Sequence, residues 1–237
     1  MNKLVVDNSI ELSDIVIDTD TDMLVNLFDT EKNITIHVED GVCVKSFINN
    51  RNTKNKVRYL LGENSSVVIN KLSFDCSDDI ELLLNGCNSE IKYNTSVINY
   101  GDNIFKLVVK HSTNNIKSKI TNHAINVDNN EFKFIVDGII EKNALKAEFK
   151  QDNKITNLKD GKSNILPNLI VDNDDVLASH SAYIGTFDSD TKFYMMSRGL
   201  TEEECDDLLI KAFLLNDMDL SSKERDIYCS IIESINK

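Results

Sequence analysis

From Leu4 to about Ala178 the chain is written in short runs where apolar and polar residues alternate. Successive side chains of a strand point to opposite faces, so this period of two reads as sheet with one buried face. Asn33-Ile-Thr-Ile-His-Val38, Ser66-Val-Val-Ile-Asn-Lys-Leu-Ser-Phe74, Asn103-Ile-Phe-Lys-Leu-Val-Val-Lys110 and Phe132-Lys-Phe-Ile-Val136 are examples, rich in the branched and aromatic residues that suit a pleated surface. No stretch of ten residues in this region carries a helical period. Asn, Asp and Ser separate the runs. With 8 Gly and 1 Pro against 29 Asn, the chain is poor in the usual hairpin formers. Coils of a solenoid can turn corners on Asn and Asp, and stacked Asn side chains suit such coils. No fixed repeat length aligns them, however. The residue pattern leaves β-solenoid and β-sandwich both open.

After Gly185 the texture changes. Asp188 to Gly199 opens on capping residues and closes on glycine, the punctuation of a short helix. Thr201-Glu-Glu-Glu204 reads as a capping box, followed by an apolar face of Leu208, Leu209, Ala212, Phe213 and Leu215. Ser221 or Ser222 caps a third helix with Ile227, Tyr228, Ile231, Ile232 and Ile235 as its stripe. The expected division is a β body over residues 1–186 and a helical segment over 187–237.

Charge and cysteine usage exclude several classes. The 26 basic against 39 acidic residues give a net charge of −13, the wrong field for a nucleic-acid binder. No apolar run reaches the ~18 residues a membrane-spanning helix requires, and the first 18 residues offer no signal-peptide core. Cys43, Cys76, Cys87, Cys205 and Cys229 are odd in number and widely spaced, which argues for a reducing cytoplasm over a disulfide framework or closed zinc site.

Motif by motif, the chemistry is sparse. Gly161-Lys162-Ser163 lacks the upstream Gly of a phosphate loop, since Thr156 stands there, and Pro167 follows where a helix should run. Asp14, Asp18, Asp20 and Asp22 lack the central Gly and terminal Glu of a calcium loop. His37 falls in a strand, and His111 and His123 are expected at strand ends or turns, none at a metal-ligand offset.

His180 differs because of its surroundings. Asp174-Asp-Val-Leu-Ala-Ser-His-Ser-Ala-Tyr-Ile-Gly185, then Phe193-Tyr-Met-Met-Ser-Arg-Gly-Leu200, then the capped acidic helix start, resemble the C-terminal signature of the SufB/SufD family, scaffold subunits of the SUF iron–sulfur cluster assembly system. Pro167 upstream and the Leu-Leu-Ile-Lys-Ala-Phe213 helix downstream fall in the same order. The resemblance implies a right-handed parallel β-helix core, all-β, with a small C-terminal three-helix segment. It also implies pairing through the β-helices and docking of an ABC-type ATPase, SufC, on the C-terminal helical part.

The departures matter as much. Ser181 follows His180 where a SufB-like member has Glu, and Ala144 to Leu166 contains no cysteine, so the SufB thiolate is missing. No counterpart of the family's N-terminal helical region is expected, since strand texture starts within ten residues. His180 matches the interface histidine of SufD, and the chain resembles a short SufD-like subunit. The resemblance thus implies a non-enzymatic scaffold working with a SufC-like ATPase and with a SufB-like chain or a second copy of itself. His180 is the candidate iron ligand for a transient iron–sulfur cluster. Asp174 and Asp175 are candidate partners for its second ring nitrogen, although they could equally cap a turn. Phe193, Tyr194, Met196, Arg198, Gly199 and Phe213 are candidate ATPase contacts. The alternative is a β-solenoid interaction module that keeps the fold without assembling clusters. A weaker third option is a carbohydrate-active solenoid enzyme, whose catalytic carboxylates cannot be picked from this many acids.

Overall fold

The computed structural model describes residues 1–11 and 13–233; Ile235, assigned above to the third helix, lies outside them. Fifteen strands alternate between two sheets: β1 (Asn2–Asp7), β2 (Asp14–Ile17), β3 (Thr21–Phe28), β4 (Asn33–Val38), β5 (Cys43–Arg51), β6 (Lys56–Leu61), β7 (Ser66–Phe74), β8 (Asp79–Leu84), β9 (Glu90–Asn99), β10 (Asn103–His111), β11 (Lys117–Asn126), β12 (Glu131–Ile140), β13 (Ala147–Asn157), β14 (Lys162–Val171) and β15 (Val176–Gly185). Odd strands form one parallel sheet in the order β1-β3-β5-β7-β9-β11-β13-β15, even strands the other. The chain is a parallel β-helix of two-strand coils, which decides between solenoid and sandwich. Three helices follow: α1 (Ser189–Ser197), α2 (Glu202–Leu215) and α3 (Ser222–Glu233).

The missing repeat period has a geometric cause. Asn2 pairs with Thr21 and Thr21 with Val44, steps of 19 and 23 residues, whereas Lys117 pairs with Glu148 across 31. The coil widens along the chain as β1 and β2, of 6 and 4 residues, give way to β13 and β14, of 11 and 10. Alternation survives this widening because it is set within each strand, whatever the length of the strand or of the turns between. Inward rows of Val, Ile, Leu and Phe fill the interior. Where the coil is crowded, Gly138 is required, since any Cβ there would collide with the Phe149 ring.

Asn and Asp do turn the corners. Asp29, Asn52 and Asp75 form one column of left-handed residues, and Asn64, Asn88, Asn115 and Lys146 form another. These residue types tolerate positive φ and hydrogen-bond along the stack. Asn52 Nδ2 donates to Asp29 Oδ1 at 2.8 Å, Asn88 to Asn64 at 3.0 Å and Asn115 to Asn88 at 3.1 Å. Lys146, at φ 55°, breaks the second column with an unfavourable residue. Lys146→Asn should therefore stabilise the fold by about 0.5–1 kcal/mol. A higher urea midpoint with unchanged slope would show it; a lower midpoint would mean that the lysine stem does something the column does not.

The helices do not sit on the last coil but fold back along the flank of earlier ones. Ile210, Leu214, Leu215, Met218, Tyr228 and Ile232 bury against the outward side chains Leu72, Phe74, Ile98 and Ile125, a second core outside the β-helix. Polar contacts fix the placement. Tyr228 Oη donates to the carbonyls of Ile48 and Asn70 at 3.2 and 3.1 Å, and Ser96 Oγ to that of Leu214 at 2.5 Å. His123 also belongs to this seam. It lies within β11 rather than at a turn, its ring stacked on Phe213 at 4.8 Å between centroids and Nδ1 2.9 Å from the Phe213 carbonyl oxygen. His111 does end its strand, β10, and points inside, 2.8 Å from Ser118 Oγ; burial lowers its pKa to about 4, so it is neutral at physiological pH.

Candidate functional site

The site predicted around His180 lies on the final coil. β15 pairs with β13 along one side only, from Ala147–Val176 to Thr156–Gly185, and is the end strand of its sheet; β14 ends the other. Among the described residues, both leave ten-residue edges whose outward N–H and C=O groups have no neighbouring strand. Ala147, Phe149, Gln151, Asn153 and Ile155 form the inward row of β13. Parallel register carries that row to Val176, Ala178, His180, Ala182 and Ile184 on β15. Inside an earlier coil these positions would be covered, but here the interior opens to solvent and His180 is exposed.

His180 is thus a mid-strand residue. Asn173 to Asp175 make the turn instead: Asp175 N–H donates to Asn173 Oδ1 at 3.1 Å, and the Asp175 carbonyl accepts from Lys146 N–H at 2.7 Å. At about 3.3 Å per residue of extended strand, Asp175 lies roughly 16 Å from His180 and Asp174 farther. The structure therefore does not bring Asp174 and Asp175 to the imidazole; they serve the corner. Gln151 is the register partner of His180, and both of its amide atoms are buried without a hydrogen-bond partner. Sequence reading missed it because its neighbour in space lies 29 residues away. Ser181 anchors the strand, its Oγ 2.5 Å from Asp152 Oδ1 and its carbonyl accepting from Asn153 Nδ2 at 3.0 Å.

Apolar surface gathers at this end. Leu166, Ile170 and Val171 on β14 and Leu177, Tyr183 and Ile184 on β15 are all exposed, Leu177 by 73%. Among the described residues, no group of three or more His, Cys, Asp or Glu could hold a metal ion. One imidazole on an open edge is what the chain brings.

A second exposed surface lies on α1. Asp188 caps it by accepting from Thr191 N–H, and Gly199, at φ 99°, ends it. None of its residues is buried: Phe193, Tyr194 and Met196 are 75, 57 and 45% exposed. Arg198 reaches back over the Tyr194 ring at 5.1 Å and bonds its hydroxyl at 3.0 Å. The Lys192–Asp206 ion pair at 2.5 Å ties α1 to α2, whose capping box on Thr201 and Glu204 forms as read from sequence. Phe213 is separate from this surface, turned toward the sheet and His123. Gly161 makes a turn before β14, with no helix behind it.

The protein is a parallel β-helix whose last coil is uncovered, with one imidazole in the opening and Phe193, Tyr194 and Met196 exposed on the helix that follows. The family model for the SUF system FeS cluster assembly SufBD core domain matches residues 30–213, and the chain belongs to that family. It is similar to the iron-sulfur cluster assembly protein SufD of Bacillus subtilis (strain 168), 32% identical over 118 residues. That match covers 48% of this chain and 27% of the relative.

Proposed function

We propose that this chain is a SufD-like scaffold subunit of an iron–sulfur cluster assembly complex, contributing His180 as one ligand at an interface formed by the bare final coil. The carrying observation is the open edge of β15, with His180 exposed in its inward row. A single donor cannot hold a cluster, so the remaining donors come from the chain that pairs here, either a SufB-like subunit or a second copy. A neutral imidazole binds iron through one nitrogen while the other is held by a hydrogen bond. Exposed β14 and β15 edges, rimmed by Leu166, Ile170, Leu177 and Tyr183, supply both unpaired backbone and apolar area for that pairing. The apolar residues of α1 are the docking surface for a SufC-like ATPase, which provides the ATP hydrolysis.

Co-purification from the native cell followed by reconstitution with iron and sulfide tests this reading. His180→Ala should lower the iron retained by the complex at least about tenfold, while subunit pairing and ATPase binding persist. Leu177→Lys with Tyr183→Lys should instead disrupt pairing at about 50 µM, well above ordinary micromolar dissociation constants. A second reading, an interaction module without cluster chemistry, draws on the absence of a three-donor cluster among the described residues. Unchanged iron retention in the His180→Ala complex would favour it.

A further inference from the structure

The outward face of the eight-stranded sheet is covered by α2 and α3 over the later halves of β7, β9 and β11 and over part of β5, where Phe47 packs beneath them and Lys45 pairs with Glu224. The earlier half stays bare and carries an unusual row. Lys92 on β9, Lys119 on β11 and Lys150 on β13 are register partners, stacked across adjacent strands. Neighbouring strands lie about 4.8 Å apart, so three ammonium groups share a span of about 10 Å. Like charges directly opposite one another on a sheet are destabilising. Among the described residues, none of the three side chains makes an ion pair or hydrogen bond, whereas the flanking rows are compensated: Lys117 pairs with Glu148 at 2.9 Å and Lys154 with Asp152 at 2.7 Å. The row lies in an open depression of about 750 Å³ that ends at the exposed Leu177. A chain of net charge −13 that leaves three cations stacked and unanswered has an anionic partner missing from the row.

We propose that this lysine row is a docking surface for an acidic helix of a partner protein. The geometry favours a helix over a small polyanion. Residues at i, i+3 or i+4, and i+7 present carboxylates every ~5–6 Å along one face, close to the lysine spacing. A helix also continues the layer that α2 and α3 already form on this sheet, and can set an apolar side chain on Leu177. A polyphosphate of high charge density would meet Glu90 and Glu148 on one side and Asp152 and Asp217 on the other, the acids that border the lysines. The surface adjoins the β15 edge at Leu177 but centres on β9, β11 and β13, away from His180 and α1, and the inference does not depend on cluster chemistry.

The test uses the full chain and a fluorescent alanine-rich helical peptide with Glu at every fourth position, with its Gln counterpart as control. The Glu peptide should bind, weaken as salt is raised, and lose about tenfold or more in affinity against Lys92→Gln/Lys119→Gln/Lys150→Gln. The triple Lys→Arg variant should keep the binding. Thermal melts separate docking from structure: relieving like-charge repulsion should leave the Gln variant's Tm unchanged or raised. A Tm lowered by several degrees would make the lysines structural and overturn the proposal. So would equal binding of both peptides, unchanged affinity in the Gln variant, or tripolyphosphate binding at the row while the Glu peptide fails to bind.

Discussion

Asp78→Ala should cost about 3–5 kcal/mol, because it leaves a buried ammonium without its counter-charge. Lys71 and Asp78 form an ion pair inside the β-helix, with side chains 1% and 0% exposed. Asp78 ties three separate points of the coil: it also accepts from Thr53 Oγ1 at 3.0 Å and from Asn55 N–H at 2.9 Å. Without it, the partner left to the Lys71 ammonium among the described residues is the Phe105 ring, 4.8 Å away. A loss of this size is at least about a fifth of the ~5–15 kcal/mol typical of a single domain. The pair itself need not be stabilising relative to an apolar replacement, since desolvating two charges offsets most of their attraction. Lys71→Met with Asp78→Asn should accordingly cost less than the two single changes added together, with a coupling of about 1–3 kcal/mol, the order usual for contacting residues. Urea titration of the four proteins measures the cycle. Additive costs, or a penalty below about 1 kcal/mol for Asp78→Ala, would mean that water or rearrangement solvates the lysine in the folded state.

How the sequence discloses such features depends on distance along the chain. Each strand is legible by itself, because alternation is local and the Asn and Asp corners punctuate it. Coil length is not, because steps of 19 to 31 residues leave no period to detect. Within Ser66–Phe74 the apolar phase changes: Val67 and Ile69 point inward, then Leu72 and Phe74 point outward while Lys71 and Ser73 take the inward places. That switch signals a strand buried on both sides, and it was available in the sequence as a break in alternation. It announces both the buried ion pair and the surface that the helices cover. Where those helices lie is a tertiary choice that no local pattern specifies. His180 was reached through the family resemblance; alternation alone places it in a strand but says nothing of the open coil around it. Its small neighbours Ser179, Ser181 and Ala182 mimic a turn, and only the ten-residue register with β13 shows that they extend.

Deleting residues 187–237 should therefore produce a protein that self-associates, rather than an independent β domain. The deletion uncovers Leu72, Phe74, Ile98 and Ile125, all at most 2% exposed in the intact chain. Fully burying a side chain of this kind contributes about 1.5–3 kcal/mol, so four of them represent several kcal/mol as an upper estimate, comparable with the net stability of a domain. It also removes the Tyr228 hydroxyl from the Ile48 and Asn70 carbonyls, and the Phe213 ring and carbonyl from His123. What remains is a contiguous apolar strip on a flat parallel sheet, the kind of surface that another copy will cover. The truncated chain should bind a hydrophobic dye, elute as oligomers and melt well below the full chain. A monomer with the full chain's urea midpoint would show that the outer core contributes little. Because loss of ATPase binding by this truncation would follow from misfolding alone, docking on α1 is better read from Phe193→Ser with Tyr194→Ala in the full chain. Both side chains are exposed and outside either core, so the melting temperature should hold within a degree or two while the ATPase affinity falls about tenfold or more. Unchanged affinity in that folded variant would remove α1 from the interface and leave the β14 and β15 edges as the surface by which this chain joins a complex.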